Sequence, residues 1–255
     1  MIVAGLMLLA VGGAALVRSV FRRAERGIRL AAFGVVGAAI LAIGLLAGAP
    51  LAAVAGLGAA ALWLWLMPDR GSSPASIWPA AGLGALSALA VVVVPAGYGV
   101  GAFGRVEIDS PLGVLSLPAV ILMLGTLSYL LEAANVVVRA ALERENIAPD
   151  AEPGETQTVV GPEGPTVMPK LGPGQVMKGG RLIGPLERAI VFGLTLAAAY
   201  PLLAAFIAAK GIVRFPEISR DGDGGDRAEY FLVGSMVSWV QALSAAFLVW
   251  WGLRS

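Results

Sequence analysis

The chain contains no cysteine and no histidine. Without thiols it forms neither a disulfide nor a thiolate nucleophile. Without imidazole it lacks the commonest general base and the commonest transition-metal ligand, so Ser-His-Asp sites, Cys-His sites and His-ligated haem are excluded within the chain. A metal site would have to be all oxygen, which is unusual, and neither a metal nor a cofactor is expected. Charge is scarce as well: Asp, Glu, Lys and Arg make up 14% of the 255 residues, against about a quarter in a soluble domain. A net charge of +1 provides no polyanion-binding surface. No basic cluster is interleaved with aromatics, so nucleic acid is not an expected partner.

What is present is apolar. Hydrophobic residues are 58% of the chain, and they fall in runs long enough to cross a bilayer. The expected fold is an all-α integral membrane protein of about seven transmembrane helices, five plus a C-terminal hairpin of two, each needing about 20 apolar residues. The lipid bilayer is the first partner. The abundance of Ala, Gly and Val with few Lys suggests a bacterial protein and hence the cytoplasmic membrane.

Residues 1–145 read as a five-helix transmembrane region. Met1–Val17 is apolar and is followed by Arg18, Arg22, Arg23, Arg26 and Arg29. A secretory signal carries its charge before the apolar run, not after it. The positive-inside rule then puts these arginines in the cytoplasm and the N-terminus outside. Leu30–Leu66 is an unbroken apolar run of about 37 residues, nearly two spans long. Gly48-Ala49-Pro50 is its natural break, giving helices Leu30–Ala47 and Leu51–Leu66. The spacing Gly44-x-x-x-Gly48 would allow two backbones to approach, although an ordinary Ala/Gly-rich helix reads the same way. Trp63, Trp65 and Trp78 flank a short polar segment holding Asp69 and Arg70, and are expected at the headgroup level. Trp78–Val94 is the fourth span. The Gly-rich run that follows Pro95 lacks the Lys and Ser/Thr of a phosphate loop and reads as a turn.

The fifth span, Leu112 to about Leu142, carries Ser128, Glu132, Asn135 and Arg139 at i, i+4, i+7 and i+11, one face of an α-helix. Two readings of Glu132 stay open. It is an intramembrane carboxylate on a proton or ion path, or it is a structural group paired with Arg139 or hydrogen-bonded to a neighbouring helix. Residues 146–180 are dense in Pro and Gly and read as a cytoplasmic linker, with Thr156–Val160 and Thr166–Met168 able to pair as a weak hairpin.

Residues 181–255 read as a two-helix hairpin. Gly184-Pro185 opens a helix with Glu187 in its first turn, and Arg188 keeps that end in the cytoplasm. The apolar run Ala189–Ala209 spans one bilayer, kinked at Pro201, and Lys210 and Arg214 close it. Asp221, Asp223 and Asp226 do not match the spacing of a calcium loop and read as a solvated acidic turn. Glu229 then opens the last helix, which would bring it level with Lys210 and Arg214 for interfacial pairing. Ser238 and Gln241 lie along that helix as candidates for interhelical hydrogen bonds. This topology ends with the C-terminus in the cytoplasm. It strands Lys210, Arg214, Arg220 and Arg227 outside, offset by acidic neighbours. Six spans result instead if the Pro50 hairpin re-enters or the first helix is cleaved.

The segments GRLIGPLER, AAKGIVRFPE and AEYFLVGSMVS resemble a family of uncharacterised bacterial multi-pass membrane proteins with the pattern G-R-x-I-G-x-x-E-R, then A-A-K-x-I-x-R-F, then A-E-Y-x-x-x-G-x-x-S. The matching positions are Gly180, Arg181, Ile183, Gly184, Glu187 and Arg188; Lys210, Ile212, Arg214 and Phe215; and Glu229, Tyr230, Gly234 and Ser238. The resemblance covers the C-terminal quarter and not the first five helices. It implies a membrane topology and no chemistry.

The function that follows is a non-catalytic membrane protein, a scaffold or subunit that packs with a membrane-protein partner or a second copy. The alternative is a small proton- or ion-coupled transporter or channel using Glu132. A membrane-embedded enzyme acting on lipid is the third. The candidate polar residues are Glu132, Asn135, Arg139, Glu187, Arg188, Lys210, Arg214, Glu229, Ser238 and Gln241.

Overall fold

The structure is a computed structural model that describes residues 1–68, 77–95, 97–99, 101, 107–110, 113–144, 156–161, 164–169, 180–218 and 226–254. The Asp69/Arg70 segment, Asp221, Asp223, the side chains of Arg181 and Arg214, and most of the 146–180 linker lie outside the described residues.

Within them the chain is predominantly α-helical. The N-terminal region holds α1 (Ile2–Val20), α2 (Arg26–Leu46), α3 (Pro50–Leu66) and α4 (Trp78–Val93). One long rod follows, made of α5 (Leu117–Ser128), a π-helical turn (Tyr129–Ala133) and α6 (Ala134–Arg144). The C-terminal region holds α7 (Gly180–Leu196), α8 (Tyr200–Ile218) and α9 (Asp226–Gly252). Counting the rod as one, these are eight helices. Four stretches, Ile2–Val20, Arg26–Leu46, Leu117–Arg144 and Glu229–Gly252, are long and apolar enough to cross a membrane. Pro50–Leu66, Trp78–Val93 and Tyr200–Val213 are apolar but shorter. Two small hairpins decorate the bundle. In the first, β1 (Glu107–Ser110) pairs antiparallel with β2 (Gly113–Ser116). In the second, β3 (Thr156–Gly161) pairs antiparallel with β4 (Gly164–Pro169), Thr158 opposite Val167, as the linker sequence suggests.

α1 is the axis of the bundle. It packs against α2, α3, α4 and α5 and is mostly buried. Glycines make this possible. A Cβ on Gly5 would lie 2.7 Å from the Leu122 backbone nitrogen, and one on Gly12 would lie 2.5 Å from Ser128 Oγ, so α1 and α5 touch backbone to backbone. Such approach multiplies dispersion contacts between the two helices. Gly5 against Leu122 and Gly12 against Ser128 also make α1 and α5 parallel. Gly56 against Leu6, with Arg18 Nη1 donating to the Met67 carbonyl at 2.7 Å, makes α3 parallel to them.

The α2–α3 reversal falls where Gly48-Ala49-Pro50 predicts it. Gly48 takes φ +68°. Its N–H returns to Leu45 O (3.0 Å) and that of Ala49 to Gly44 O (2.7 Å), while Pro50 starts α3. These are the paired bonds of a left-handed helix C-cap followed by a proline that needs no donor.

The single kinked helix expected over Ala189–Ala209 is instead two helices. The same cap recurs at Ala197–Ala199: Ala198 takes φ +52°, its N–H bonds Thr195 O (3.1 Å), and the Ala199 N–H bonds Leu194 O (2.9 Å). Pro201 then sits in the first turn of α8. The chain therefore folds back, and Lys210 on α8 comes alongside Glu187 on α7. The reversal changes the expected topology. α9 runs opposite to the α5–α6 rod, with Gly234 near Val138 and Leu142 and with Gly252 against Leu122 and Met1. The two chain ends thus meet on one face of the bundle, not on opposite faces as the seven-span reading has it.

Three smaller expectations change. Trp63 is 3% exposed and belongs to the core, whereas Trp65 (76%) and Trp78 (72%) are exposed like interfacial residues. α7 begins at Gly180, so Pro185 lies inside it and Glu187 falls beyond the first turn. α9 begins at Asp226, ahead of Glu229. The core is continuous: Phe192, Ala245, Ala246 and Val249 of the C-terminal region cluster with α1, α3 and α5.

Candidate functional site

An arginine side chain is the largest fully buried group among the described residues. Arg188 is 2% exposed, and a guanidinium out of water needs acceptors for its donors. α7 aims it at the junction of the rod and α9. Its Nε donates to the Leu130 carbonyl (2.8 Å), its Nη1 to Ser238 Oγ (3.2 Å) and its Nη2 to Asn135 Oδ1. The space beside it is cleared by Gly184, where a Cβ would stand 3.4 Å from Asn135 Oδ1.

The π-turn explains the first of these acceptors. Between Tyr129 and Ala133 the hydrogen bonds lengthen by one residue, and the Ala134 N–H returns to Tyr129 O. A π-turn interrupts the regular i→i−4 ladder, and Arg188 takes up the carbonyl of Leu130 within it. The extra residue also rotates everything downstream by about 100° relative to an unbroken α-helix. The single polar stripe expected on this helix is therefore split. Ser128 lies over Gly12 of α1 and Asn135 faces Arg188, while Arg139 is exposed.

Glu132 remains in the network. Its Oε2 accepts from Asn135 Nδ2 (3.2 Å), and its Oε1 accepts from Ser19 Oγ of α1 (2.8 Å). Asn135 is thus an amide bridge, receiving from Arg188 on its oxygen and donating to Glu132 from its nitrogen. A second bond from Asn135 Nδ2 to Leu131 O (3.2 Å) fixes the side chain. The chain Ser19–Glu132–Asn135–Arg188–Ser238 ties α1, the rod, α7 and α9 together.

Two further contacts flank it. Tyr129 donates its hydroxyl to Gln241 Oε1 (3.0 Å) and meets Trp63 edge-on at 5.9 Å, joining α3, the π-turn and α9. On the other side of α7, Glu187 pairs with Lys210 and accepts from Trp239 Nε1 (3.0 Å). Lys210 Nζ also lies 5.3 Å from the ring centres of Phe231 and Trp239. Cation–π attraction of this kind grows as water is excluded, and the Glu187 side chain is only 8% exposed.

Seven of the ten candidate residues thus converge: Glu132, Asn135, Glu187, Arg188, Lys210, Ser238 and Gln241. Arg139 and Glu229 are exposed. The expected Lys210–Glu229 pairing is replaced by Lys210–Glu187, because α8 folds back along α7. Sequence reasoning did not single out Ser19, Tyr129 or Trp239. Ser19 and Tyr129 are polar atoms beside the charged positions of apolar helices, and that adjacency was their only signal. No protein family, curated protein or solved structure matches this chain.

Proposed function

We propose that this is an integral membrane protein without catalytic chemistry, acting as a scaffold or subunit of a membrane assembly. In this reading the C-terminal hairpin and α9 are keyed onto the five-helix region by the Arg188 network. The observation that carries it is closure. Arg188, Asn135, Glu132, Ser238 and Ser19 bond to one another across four elements, each charged group meeting a partner on a neighbouring helix. A half-satisfied polar network in a core is worse than an apolar one, whereas a satisfied one fixes a unique arrangement. The residues Gly184, Glu187, Arg188, Lys210 and Ser238 belong to the motif that resembles the bacterial membrane family. We infer that the motif encodes this latch.

The same reading includes a topology. The arginine-rich segment after α1 lies at the cytoplasmic face by the positive-inside rule. α7 and α8 enter from that face and return to it. α7 is 17 residues long, or about 25 Å, just short of a hydrocarbon core of about 30 Å. Both chain ends then lie outside. The reversal at Ala198 also removes the exception noted above, since the segment carrying Arg220 and Arg227 now joins two helices at the cytoplasmic face. Extraction directly from the membrane into lipid-retaining particles tests the assembly role. The protein should run as a complex with a second copy or another membrane protein; a lone chain with lipid contradicts it.

Proton- or ion-coupled transport is the second reading, favoured by one observation. Ser19, which donates to Glu132, lines a surface depression, so the carboxylate is one hydroxyl away from the surface. Glu132→Gln in proteoliposomes separates the two. Loss of a pH-driven flux with the fold intact supports transport, and no flux in either protein supports the latch.

A further inference from the structure

A surface depression with a basic rim lies at the end of α1. It is lined by Ser19, Val20, Arg22 and Arg23 and has a volume of about 250 Å³. Sites for drug-sized ligands begin at about 300 Å³, so this one suits a headgroup and not a whole small molecule. Its walls are of two kinds. Arg22 and Arg23 are exposed guanidiniums, whose planar donor forks match phosphate oxygens. Val20 is apolar and 68% exposed, and Ile28 (51%) and Leu30 (69%) at the start of α2 are exposed apolar residues as well. An anionic group at the arginines would therefore have hydrocarbon-compatible surface nearby.

The floor is fixed. Arg18, one turn back, is held by the Met67 carbonyl, and the Ser19 hydroxyl proton is committed to Glu132. Arg18 does not line the depression, its Nη2 being buried, and the Ser19 proton points to Glu132, which leaves Arg22 and Arg23 to supply the binding. Five arginines and one glutamate between residues 18 and 29 give the segment a strong positive excess at the point where α1 ends. Basic segments next to a membrane helix attract anionic lipid over a short range.

We propose that Arg22 and Arg23 form a site for the phosphate of an anionic phospholipid in the cytoplasmic leaflet, with Val20 against the upper acyl chain. The site rests on the membrane reading above. The shared chemistry is an accessible phosphate anion, and its source is taken to be lipid because of the adjoining apolar wall.

The test uses the full chain in nanodiscs of phosphatidylcholine doped with phosphatidylglycerol, with retained lipids counted by native mass spectrometry. The wild type should retain phosphatidylglycerol in preference to phosphatidylcholine. Arg22→Gln/Arg23→Gln should lose roughly tenfold or more of that preference. Arg26→Gln/Arg29→Gln removes the same charge outside the depression and should keep most of it. Both pairs should insert and unfold at the wild-type temperature. Equal loss in the two double variants, or loss in neither, overturns the site while leaving the membrane reading intact. Displacement of the retained lipid by inorganic phosphate would assign the arginines to a free anion and overturn the lipid source. Failure of the wild type to insert overturns both.

Discussion

Arg188 donates its Nε to the carbonyl of Leu130 at 2.8 Å, and that carbonyl belongs to the π-turn of the α5–α6 rod. A side chain on one helix bonds directly to the backbone of another. The guanidinium does this while also reaching Ser238 and Asn135, because its donors diverge in a fixed plane. Lysine has a compact head on a flexible stem and cannot hold three such acceptors. Arg188→Lys should therefore destabilise the protein by about 2 to 4 kcal/mol, the range for leaving buried polar groups unmatched. Thermal unfolding in detergent or nanodiscs checks this, and an unchanged midpoint would show that the charge alone matters.

The pairing of Lys210 with Glu187 predicts which charge reversal restores it. Lys210→Glu should be strongly destabilising, since it sets two carboxylates together at a largely buried position. Adding Glu187→Lys should recover part of the loss, because the ion pair re-forms, though Trp239 Nε1 then loses its acceptor. Adding Glu229→Lys should recover nothing. Unfolding midpoints of the single and double variants decide between the two partners.

The reversal at Ala198 contains an avoidable strain. An L-residue with a Cβ in the left-handed region costs about 1 kcal/mol or more relative to glycine. Ala198→Gly should stabilise the α7–α8 hairpin by about that amount, less the entropy that glycine adds to the unfolded chain. Ala198→Val should destabilise it, since a β-branched residue tolerates positive φ worse. If valine raised stability, the turn would not have this geometry.

The proposed topology predicts a labelling pattern that needs no background correction, because the chain has no native cysteine. Single cysteines at Arg22 and Ser255 should react with an impermeant reagent from opposite sides of the membrane. The seven-span topology, with a cytoplasmic C-terminus, requires the same side.

Much of the helical framework was legible in the sequence. Apolar runs and the Gly48-Ala49-Pro50 break located α1 to α4 to within a few residues, since glycine at the left-handed position and proline after it announce a reversal. The second reversal has the same geometry and the same trailing proline. It was hidden because alanine occupies the left-handed position, so Ala189–Ala209 read as one span. The site was legible as a set of residues and not as an arrangement. Glu132, Asn135, Arg188, Ser238 and Gln241 stand out as polar groups in apolar helices. Their partners depend on the phase of the rod, and the π-turn that sets the phase leaves no mark in the pattern of spacings. Trp63 looked interfacial because a tryptophan near the end of an apolar run does so, yet Tyr129 gave it a buried neighbour.

The Arg188–Asn135 contact is the joint on which the latch depends, and a double-mutant cycle measures it most directly. Arg188→Met keeps most of the volume and removes the charge, while Asn135→Leu keeps the packing and removes the bridge. If the two residues act as one unit, their combined cost should fall short of the sum of the single costs by about 1 to 3 kcal/mol. Costs that add to within about 0.5 kcal/mol would contradict a latch in which Asn135 holds Arg188.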